Sequence, residues 1–530
     1  MPAETYDVIQ IGYGPVSQSL AQMLGQQGRS VAVVERWQER YPLPRAVCID
    51  HELYRVLSAN GMGEALAGLT QPGPVYQWFN ADWKELLSIP WSAQSISGGP
   101  EVNFVHQPTL EKALDAAVAL QPTVDVQLGW EAIEISQDQT GVTVTLRELG
   151  GIKTRELRGR YLIGCDGANS LVRETIGGVR EDRGFEADWL VIDVLLKPGV
   201  TIEKLGIPAA GQYCCPKQPT TIVPAGIDGD RVYRRWEFMR LPGVSVEELE
   251  NEARVWELLR PWAGPEDVEL VRHKVYNFRS LMAEKWRDRR VLIAGDAAHV
   301  MPPFAGQGMC SGIRDSWNLA WKLGLILDGI ADDALLDTYQ VERHPHVSQL
   351  IDMSIFLGKI ICLPDAQAAA ERDAAFANGT HPPFPAFPHL SAGLVLRAPD
   401  GSLSPGAGAL SPHVSISRGD LLGRFDEMIG NGFVVIMRGD VAALGADQLA
   451  GLDAIGGHVA VIGADDWRDL DGRLTGFMQA NGWDAFVVRP DFYIYGGGTA
   501  KQLPAIVDSL FSDLARAGVR VPVSVNGESS

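Results

Sequence analysis

The first chemistry that the sequence suggests is dinucleotide binding near the start of the chain. A short apolar run is followed by Gly12-Tyr13-Gly14-Pro15-Val16-Ser17, and Glu35 lies 21 residues after Gly14. The glycines permit a tight turn and close approach of a pyrophosphate, the next helix N-terminus stabilises its charge, and the carboxylate accepts hydrogen bonds from ribose. Ser17 replaces a third glycine, so we expect helix and strand to lie slightly farther apart. FAD and NAD share this adenosine end, so the motif does not distinguish between the two cofactors.

Two later segments place an aspartate beside a glycine at the end of a predicted strand. They are Asp166-Gly167 after RYLIGC and Gly295-Asp296 after RRVLIA. Ligands of parallel sheets bind at the carboxyl ends of strands, so we expect both segments to approach the first motif. An aspartate at this position is also a common turn residue, and that alternative stays open for Asp166.

These residues need a parallel sheet to hold them. A strand over 6–12, a helix over 15–27 and a strand over 30–35 have the length of one βαβ unit. Residues 187 to 280 alternate apolar and polar positions, which predicts an inserted antiparallel sheet with one covered face. The alanine- and proline-rich stretch 363–390 predicts a linker, and the apolar runs after it predict a small α/β domain.

The composition is that of a globular chain with several domains. With 530 residues and roughly 150 residues per domain, two to four domains are expected. The 46 basic and 66 acidic residues give a net charge of −20, which disfavours nucleic acid and anionic lipid as partners. The opening segment lacks signal-peptide features and no run of eighteen apolar residues occurs, so a cytoplasmic location without membrane contact is expected. The six cysteines lack metal-ligand spacing, and no metal site is expected.

Further motifs make the chain resemble the class A FAD-dependent aromatic hydroxylases. GDAAHVMPPFAGQGM, over 295–309, resembles the second FAD motif of that family, and CDGANS, over 165–170, resembles its Asp-Gly motif for flavin and nicotinamide. Pro44-Arg45-Ala46 and Gln107 are similar to two further FAD-contacting elements. In the family's order, the motifs span residues 7–346. The segments around these motifs look most like those of phenol and 3-(3-hydroxyphenyl)propionate hydroxylases.

The resemblance implies an α/β fold with three parts. They are a discontinuous Rossmann-like FAD domain, an inserted, mainly antiparallel β-sheet substrate domain and a C-terminal thioredoxin-like domain. The expected boundaries are 1–75, 100–185 and 281–362 for the FAD domain, 76–99 and 186–280 for the substrate domain, 363–390 for the linker and 391–530 for the last domain. No cysteine follows Cys362, so the last domain cannot perform thiol chemistry and is expected to support packing or dimerisation. A monomer or homodimer is expected.

The resemblance also implies which residues contact FAD. They are Gly12, Gly14, Pro15, Val16, Glu35, Arg36, Arg45, Gln107, Asp166, Gly167, Gly295, Asp296, Pro303, Gly306, Gln307, Gly308 and Met309. Physical reasons support the last group, because a helix that begins near residues 306–309 offers free N–H groups and a dipole that stabilise a negatively charged reduced flavin. An ordinary helix start is the alternative.

Substrate and catalytic residues are less clearly marked. A phenol reacts faster with an electrophilic oxygen when a base holds or removes its hydroxyl proton. Asp50 is similar in position to an acidic residue of phenol hydroxylases and is the first candidate for the base, with His51 second; helix capping is the alternative for Asp50. Candidates for substrate contact are Tyr213, Arg234, Arg235, Trp236, Tyr276 and Pro303. Strand alternation lets at most one of Arg234 and Arg235 face the substrate.

We therefore predict a single-component monooxygenase that hydroxylates a phenolic compound with bound FAD and with NAD(P)H and O2 as co-substrates. The resemblance implies oxygen transfer through a flavin C4a-hydroperoxide, and a hydroxyphenylpropionate-like acid is one candidate substrate. The alternatives are a monooxygenase of a bulkier natural product, a flavin oxidase and a catalytically silent FAD-binding protein.

Overall fold

The chain folds into several β-sheets with helices packed around them. The computed structural model describes residues 5–40, 43–439, 444–463 and 467–521. The elements up to residue 175 mix short strands and helices: β1 (Thr5–Ile11), α1 (Pro15–Gln26), β2 (Val31–Glu35), β3 (Cys48–Asp50), α2 (His51–Leu57), α3 (Gly63–Leu69), β4 (Thr70–Pro72), β5 (Tyr76–Phe79), β6 (Glu85–Ile89), β7 (Val102–Val105), α4 (Gln107–Ala119), β8 (Val124–Leu128), β9 (Trp130–Gln137), β10 (Val142–Glu148), β11 (Thr154–Gly164) and α5 (Leu171–Thr175).

The middle of the chain contains the longest strands and helices. They are β12 (Arg180–Leu196), α6 (Ile202–Leu205), β13 (Gly211–Tyr213), β14 (Thr220–Asp228), β15 (Arg231–Met239), α7 (Val246–Leu249), α8 (Glu252–Leu259), β16 (Val268–Ala283), β17 (Arg287–Asp288), β18 (Val291–Ile293), β19 (His299–Val300), α9 (Gly308–Leu327), α10 (Asp337–Ile361) and α11 (Ala366–Ala377). The last part is built from shorter elements: β20 (Ser415–Arg418), β21 (Leu421–Arg424), α12 (Phe425–Ile429), β22 (Val434–Met437), α13 (Ala446–Ala454), β23 (His458–Val461), β24 (Arg468–Asp469), α14 (Arg473–Ala480), β25 (Ala485–Val488), β26 (Ile494–Gly498) and α15 (Leu503–Arg516).

The first sheet brings together the strands that precede the sequence motifs. Its order is β17-β18-β11-β1-β2-β8, and β10 and β9 continue from β11. β1 is parallel to β2 and β11, and β11 is parallel to β18. The N–H of Cys165 donates to the Ile11 carbonyl at 2.8 Å, and the N–H of Ala294 donates to the Gly164 carbonyl at 2.9 Å. The segments that follow β1, β11 and β18 therefore lie side by side at one edge of the sheet.

The second sheet is mainly antiparallel, as the alternating pattern over 187–280 predicts. Its order is β19-β16-β12-β15-β14-β13-β5-β6, and β5 joins it by parallel pairing with β13. The outer face is covered by α7 and α8, and Trp236, Phe238 and Leu258 belong to one buried apolar cluster there. The inner face is turned towards the first sheet and carries Trp189 and Arg235. Both faces of this sheet are thus buried, one by its own helices and the other by the rest of the molecule.

The third sheet lies in the last part of the chain, with the strand order β23-β22-β25-β26. β22 is parallel to β23, whereas β25 is antiparallel to both β22 and β26. Helix α15 packs against this sheet with an apolar stripe at helical spacing, formed by Leu503, Ile506, Val507, Leu510 and Leu514. The order and the helices between the strands make this part a mixed α/β unit.

Buried charges join the tip of the β25–β26 hairpin to helices α9 and α10. Arg489 donates to both carboxylate oxygens of Glu342 in α10, at 2.9 and 2.7 Å, and Lys322 of α9 donates to Glu342 at 2.7 Å. Asp491 accepts from Arg489 at 2.7 Å. These side chains are fully or almost fully buried. Removing one member of such a group would leave another charge buried and unpaired, which is strongly destabilising.

Within the described ranges, no single helix is both long and apolar enough to cross a membrane. Two consecutive helical segments, Asp333–Ile361 and Ala366–Ala377, are long and apolar enough when they are taken together, and they meet at an angle of 110°. The same ranges contain no group of three or more His, Cys, Asp or Glu side chains that could hold a metal ion.

Candidate active site

The turn between β1 and α1 has the geometry that close contact with a phosphate requires. Gly12 has φ +96°, and a Cβ atom at this position would lie 2.4 Å from the Cys165 carbonyl oxygen. A Cβ atom on Gly14, by contrast, would meet no atom within 4 Å. Gly14 caps α1 without a side chain and Pro15 is the first helical residue. The first glycine therefore allows the strand ends to meet, and the second leaves open space at the helix N-terminus.

Val16 and Ser17 fix the start of α1 against its neighbours. Val16 is so tightly packed that a Cβ atom on Gly295 would lie 3.0 Å from it and one on Gly312 would lie 2.5 Å from it. The hydroxyl of Ser17 lies 2.6 Å from the side-chain amide of Gln10 on β1, and both residues are buried. A side-chain hydrogen bond thus joins helix and strand where the motif usually has a third glycine.

Glu35 is held in place by the backbone of both neighbouring segments. Its Oε2 accepts from the N–H of Tyr13 at 2.9 Å and its Oε1 accepts from the N–H of Trp37 at 3.0 Å. This arrangement orients the carboxylate at the end of β2, beside the Gly12 turn. Arg36 is exposed, with its guanidinium 5.0 Å from the centre of the Trp37 ring.

The two later aspartates lie at the ends of β11 and β18, next to the first motif. Asp166 accepts from the N–H of Val172 at 3.2 Å through Oδ2, whereas its Oδ1 is buried and has no hydrogen-bond partner in the part of the chain that the structure describes. Burial raises the pKa of Asp166. The following Gly167 has φ +79° and open space around it. Asp296 is exposed, although the neighbouring Gly295 is buried.

These features fit the dinucleotide end of FAD. The helix N-terminus at Gly14 has room for a pyrophosphate, Glu35 presents a fixed carboxylate, and Asp166 has a buried acceptor oxygen that a ligand hydroxyl could satisfy. The structure brings Gly12, Gly14, Glu35, Asp166 and Asp296 to one edge of the first sheet.

A second element that the sequence predicts to contact FAD is the glycine loop, which we define as residues 302–309. It contains a 3-10 turn (Pro303–Ala305), then Gly306 with φ +65°. A Cβ atom on Gly306 would lie 2.9 Å from the Cys48 sulfur. α9 begins at Gly308 after Gln307, whose side chain does not cap the helix. Its first N–H groups therefore remain available for a negatively charged group.

The other members of the loop differ in exposure. Pro303 is exposed, Gly308 and Met309 are half-buried, and Gln307 is buried, with its Oε1 accepting from Arg314 Nη1 at 3.0 Å. The side chain of Gln307 is therefore used inside the protein.

The side chain of Gln107 is also used inside the protein. Its Oε1 accepts from the N–H groups of Arg45 and Ala46 at 2.8 and 2.5 Å, and its Nε2 donates to Glu111 at 2.6 Å. Gln107 thus shapes the segment that carries Arg45. Contact of FAD with the side chain of Gln107 or Arg45 stays a prediction.

Asp50 occupies the position that the capping alternative describes. Its Oδ1 accepts from the N–H of Leu53 at the start of α2, at 2.9 Å, and its Oδ2 accepts from Arg314 Nη2 at 2.5 Å. Burial acts to raise the pKa of Asp50, but Arg314 and His51 lower it below its ordinary value. An ionised carboxylate with a cationic partner is a weak base. The geometry therefore supports capping and ion pairing by Asp50, and a role of Asp50 as the base stays a prediction.

His51 points to a different group. Its Nδ1 lies 3.0 Å from the Ser97 hydroxyl and its Nε2 lies 3.4 Å from a carboxylate oxygen of Glu101. Both neighbours belong to the segment before β7. The arrangement supplies no evidence for a catalytic role of His51.

On the second sheet, Arg235 and Tyr276 belong to a polar network of the inner face. Arg235 pairs with Asp193 at 2.7 Å and donates to the carbonyls of Arg45 at 2.7 Å and Pro44 at 3.0 Å. Arg272 donates to Asp193 at 2.6 Å and to the Tyr276 hydroxyl at 2.7 Å. The network thus connects the second sheet to the segment that carries Arg45.

Three of the residues predicted to contact the substrate point away from the inner face of the second sheet. Trp236 is fully buried under α7 and α8, and Arg234, two residues away on the same strand, donates to the carbonyls of Pro208 and Ala209 at 2.9 and 2.8 Å. Tyr213 stacks on Trp83 at 4.4 Å and packs edge-on against Trp262, next to the outer-face core. We therefore correct the prediction for Tyr213, Arg234 and Trp236, because strand alternation and these contacts direct them away from the inner face.

Sequence reasoning missed several residues that shape this region. Glu237 is buried on the inner face, 3.7 Å from Arg235, and burial raises its pKa. Phe304 of the glycine loop packs edge-on against Trp189 and Phe278, with ring centres 5.6 and 6.3 Å apart. Arg314 follows Gln307 by seven residues, two helical turns, and that spacing is the one signal in the sequence that could have linked them.

Comparisons with known proteins identify the family of this chain. Residues 5–354 match the family model described as FAD binding domain, and residues 406–513 match the one described as HcaD C-terminal domain. A probable NADH-specific resorcinol 4-hydroxylase of Rhodococcus jostii (strain RHA1) is 36% identical, covering 94% of this chain and 95% of that protein. A 3-(3-hydroxy-phenyl)propionate/3-hydroxycinnamic acid hydroxylase of Mycobacterium sp. (strain JLS) is 34% identical, covering 96% and 92%.

Solved structures share the fold. Aklavinone-11 hydroxylase in complex with FAD and aklavinone matches with a TM-score of 0.77 at 23% identity, covering 97% of this chain and 100% of that one. The flavin-dependent monooxygenase PieE, in complex with FAD and substrate, matches with a TM-score of 0.79 at 20% identity over the same shares. On the family match and the two sequence relatives, the chain belongs to the FAD-dependent aromatic hydroxylases.

Proposed function

We propose that the protein hydroxylates the ring of a small phenol at the place where the glycine loop meets the inner face of the second sheet. The observation that carries this proposal is the packing of Phe304 against Trp189 and Phe278, which gives the two elements a shared aromatic wall. Aromatic surfaces stack on a substrate ring, and a few polar groups beside them orient it. The polar groups here are Arg235, Glu237 and their partners.

In this proposal FAD lies along the edge of the first sheet. Gly14 and the N-terminus of α1 hold the pyrophosphate, Glu35 the ribose, and Asp166 a cofactor hydroxyl. The N–H groups of Gly308 and Met309 face the flavin ring and stabilise its negative charge after reduction. When bound, FAD supplies the acceptor for the hydride of NAD(P)H and the centre that activates O2.

For the phenol proton we propose Glu237. Its carboxyl is buried and its pKa is raised by burial, which makes it a better proton acceptor than the ion-paired Asp50. Burial raises the pKa of the Cys48 thiol to about 12, and the nearby carboxylates of Asp50 and Glu237 add to this rise. Cys48 in turn lies against Gly306 of the glycine loop. These contacts support a position of Glu237 on the flavin side of the sheet.

The charge balance of the inner face favours a neutral substrate. Arg235 and Arg272 both pair with Asp193, and Arg235 also lies beside Glu237, so two cations face two acids. A carboxylate substrate would add a negative charge to a group that is already balanced. We therefore favour a neutral diphenol of the resorcinol type over a hydroxyphenylpropionate-like acid, which remains the second candidate.

We also propose that the three largest sheets mark three domains close to the boundaries expected from the sequence. The second sheet extends beyond 186–280, from Arg180 to Ala283, and includes β19, and α11 lies within the expected linker. The strand order 2-1-3-4 of the third sheet, with one parallel and two antiparallel pairs, supports a thioredoxin-like C-terminal domain. The cytoplasmic location and the monomeric or homodimeric state stay predictions.

The test is rapid-mixing spectroscopy of the FAD-loaded protein with NADH and NADPH and a panel of phenols. The panel contains resorcinol, 3-(3-hydroxyphenyl)propionate, phenol and a polycyclic phenol, and both ring-hydroxylated product and hydrogen peroxide are measured. We expect resorcinol to accelerate flavin reduction and to give product in near-equal amount to the nucleotide consumed.

Other outcomes identify the alternatives. Turnover of the polycyclic phenol alone would indicate a natural-product monooxygenase, and peroxide without any hydroxylated product would indicate an oxidase. A flavin that neither nucleotide reduces would indicate a catalytically silent FAD-binding protein.

A further inference from the structure

We infer that Tyr493 positions the glycine loop through a buried relay that consists of Glu52, Arg314 and Gln307. Tyr493 lies in the last part of the chain, from β20 to α15, which we call the C-terminal part. The inference rests on the proposed placement of FAD at this loop and is independent of the substrate. It assigns to the C-terminal part an effect on the flavin, transmitted through these side chains, that packing alone would not have.

The relay begins at the tip of the β25–β26 hairpin. Phe492, with φ +68°, packs on Trp317 of α9, with ring centres 5.4 Å apart, and lies 4.1 Å from the guanidinium of Arg55 in α2. The buried Arg489–Glu342 pair anchors the other side of the tip. Tyr493 is thereby held between α2 and α9, far in sequence from both helices.

The hydroxyl of Tyr493 donates to Glu52 Oε1 at 2.7 Å, and both residues are buried. Burial and then Glu52 raise the pKa of Tyr493 well above its ordinary value, so the hydroxyl keeps its proton and acts as a donor. The other carboxylate oxygen, Glu52 Oε2, accepts from Arg314 Nε at 2.6 Å. Glu52 therefore connects the hairpin tip to α9.

Arg314 distributes its remaining nitrogens over the cofactor side. Nη1 donates to Gln307 at 3.0 Å and Nη2 donates to Asp50 at 2.5 Å. Gln307 is the residue immediately before α9, whose free N–H groups face the proposed flavin position. The orientation of one planar guanidinium thus fixes the loop, the cap of α2 and Glu52 at the same time.

The charges of this group explain why the tyrosine matters. One guanidinium, that of Arg314, pairs with two buried carboxylates, Asp50 and Glu52, so Arg314 alone does not balance both charges. The Tyr493 hydroxyl stabilises Glu52 by donating to the carboxylate oxygen that Arg314 does not bind. Without it, Glu52 would interact more strongly with Arg314 and draw it from Gln307, and more negative charge would act on the flavin.

The test compares Tyr493→Phe with Tyr495→Phe in FAD-loaded protein, without nucleotide or phenol. Tyr495 is a matched control because its buried side chain also donates to a carboxylate, Asp513 at 2.6 Å, but within the C-terminal part. We expect Tyr493→Phe to shift the visible absorption of bound flavin and to lower its reduced-to-oxidised ratio about tenfold, at fixed potential against a reference dye. Tyr495→Phe should change this ratio less than about twofold.

Equal flavin spectra and equal reduction equilibria in the two variants would overturn the inference, even if both lose thermal stability. A double-mutant cycle guards against a folding effect: in a Glu52→Gln background, Tyr493→Phe should cause no further change in the reduction equilibrium. Additive changes would contradict the relay. Because no phenol is present, failure of the substrate proposal would leave both results unaffected.

Discussion

The two ends of the proposed cofactor site are built in different ways. At the dinucleotide end, backbone geometry dominates: Gly12 lets two strand ends approach, and the backbone N–H groups of Tyr13 and Trp37 hold Glu35. At the flavin end, long side chains from distant segments meet: Arg314 binds Asp50 across 264 positions of sequence, and Tyr493 binds Glu52 across 441. The first end is local and depends on the absence of side chains. The second is long-range and depends on matched charges.

The largest effect should come from the flavin end, through Arg314→Ala. Removing the guanidinium leaves Asp50 and Glu52 buried without their cation, which should lower the free energy of unfolding by about 3–5 kcal/mol. Denaturant unfolding of the FAD-loaded protein measures this loss. Lys153→Ala, at a side chain that is 76% exposed, serves as the control. A loss below about 1 kcal/mol in Arg314→Ala would mean that the charge network does not hold this end together.

At the dinucleotide end, Gly12→Ala should be almost as damaging for a different reason. The positive φ and the 2.4 Å approach to the Cys165 carbonyl should cost about 3 kcal/mol of folding free energy. Gly14→Ala should keep the stability of the cofactor-free protein within about 0.5 kcal/mol, because its surroundings are open, but weaken FAD binding at least ~10-fold. Titration with FAD and thermal unfolding separate the two effects. Equal behaviour of both variants would contradict the division between strand contact and ligand space.

A smaller effect should appear on acidification, through the contact between the C-terminal part and α2. His413 is buried, its Nδ1 lies 3.2 Å from Arg424, and its Nε2 lies 3.5 Å from Asp426. Burial is the largest cause that lowers the pKa of His413 to about 3; Arg55 and Arg424 lower it further, and Asp426 opposes them. A depressed pKa stabilises the fold above the unfolded value near 6.5, and this stability is lost as pH falls towards 3.

By pH 5 the loss attributable to His413 should reach about 2 kcal/mol. It is measured as the difference between the parent and His413→Gln in unfolding at pH 7.5 and pH 5. The parent should lose more stability than the variant. Parallel pH profiles would show that this histidine does not control the contact.

The smallest effect concerns chemistry rather than stability. Glu237→Gln should keep FAD bound and lower the rate of hydroxylation about tenfold, which is about 1.4 kcal/mol, because the phenol proton loses its acceptor. In the parent, the rate should fall as acid protonates Glu237 through its raised pKa, and the variant should lack this decline. Glu247→Gln, at an exposed position of α7, is the control. Unchanged turnover in Glu237→Gln would remove this residue as the base.

The contrast between the two ends also explains what could be predicted from the sequence. Glycines before a helix, with an acid at a fixed distance, describe a local backbone geometry, and the structure brings Gly12, Gly14 and Glu35 together as that pattern requires. The family match to an FAD binding domain confirms the cofactor. The pairing of Arg314 with Asp50 and Glu52 leaves no such local pattern, because the partners lie in separate elements.

The second sheet shows a related limit. Alternation correctly separates Arg234 from Arg235 onto opposite faces, as their different partners demonstrate. It does not tell which face is turned towards the first sheet, because α7 and α8 bury the outer face with apolar side chains just as the rest of the molecule buries the inner one. Trp236 therefore looked like a substrate contact in the sequence and is a core residue in the fold.

The buried ion pairs at the tip of the β25–β26 hairpin limit how this enzyme can be shortened. A chain that ends before residue 406 would keep Glu342 and Lys322 but lose Arg489 and Asp491, and it would expose the faces of Trp317 and Trp321 that Phe492 and Phe433 now cover. The FAD-binding part expressed alone is therefore expected to aggregate. Exchange of C-terminal parts between related enzymes should succeed only when the hairpin tip is exchanged together with the residues of α2, α9 and α10 that contact it.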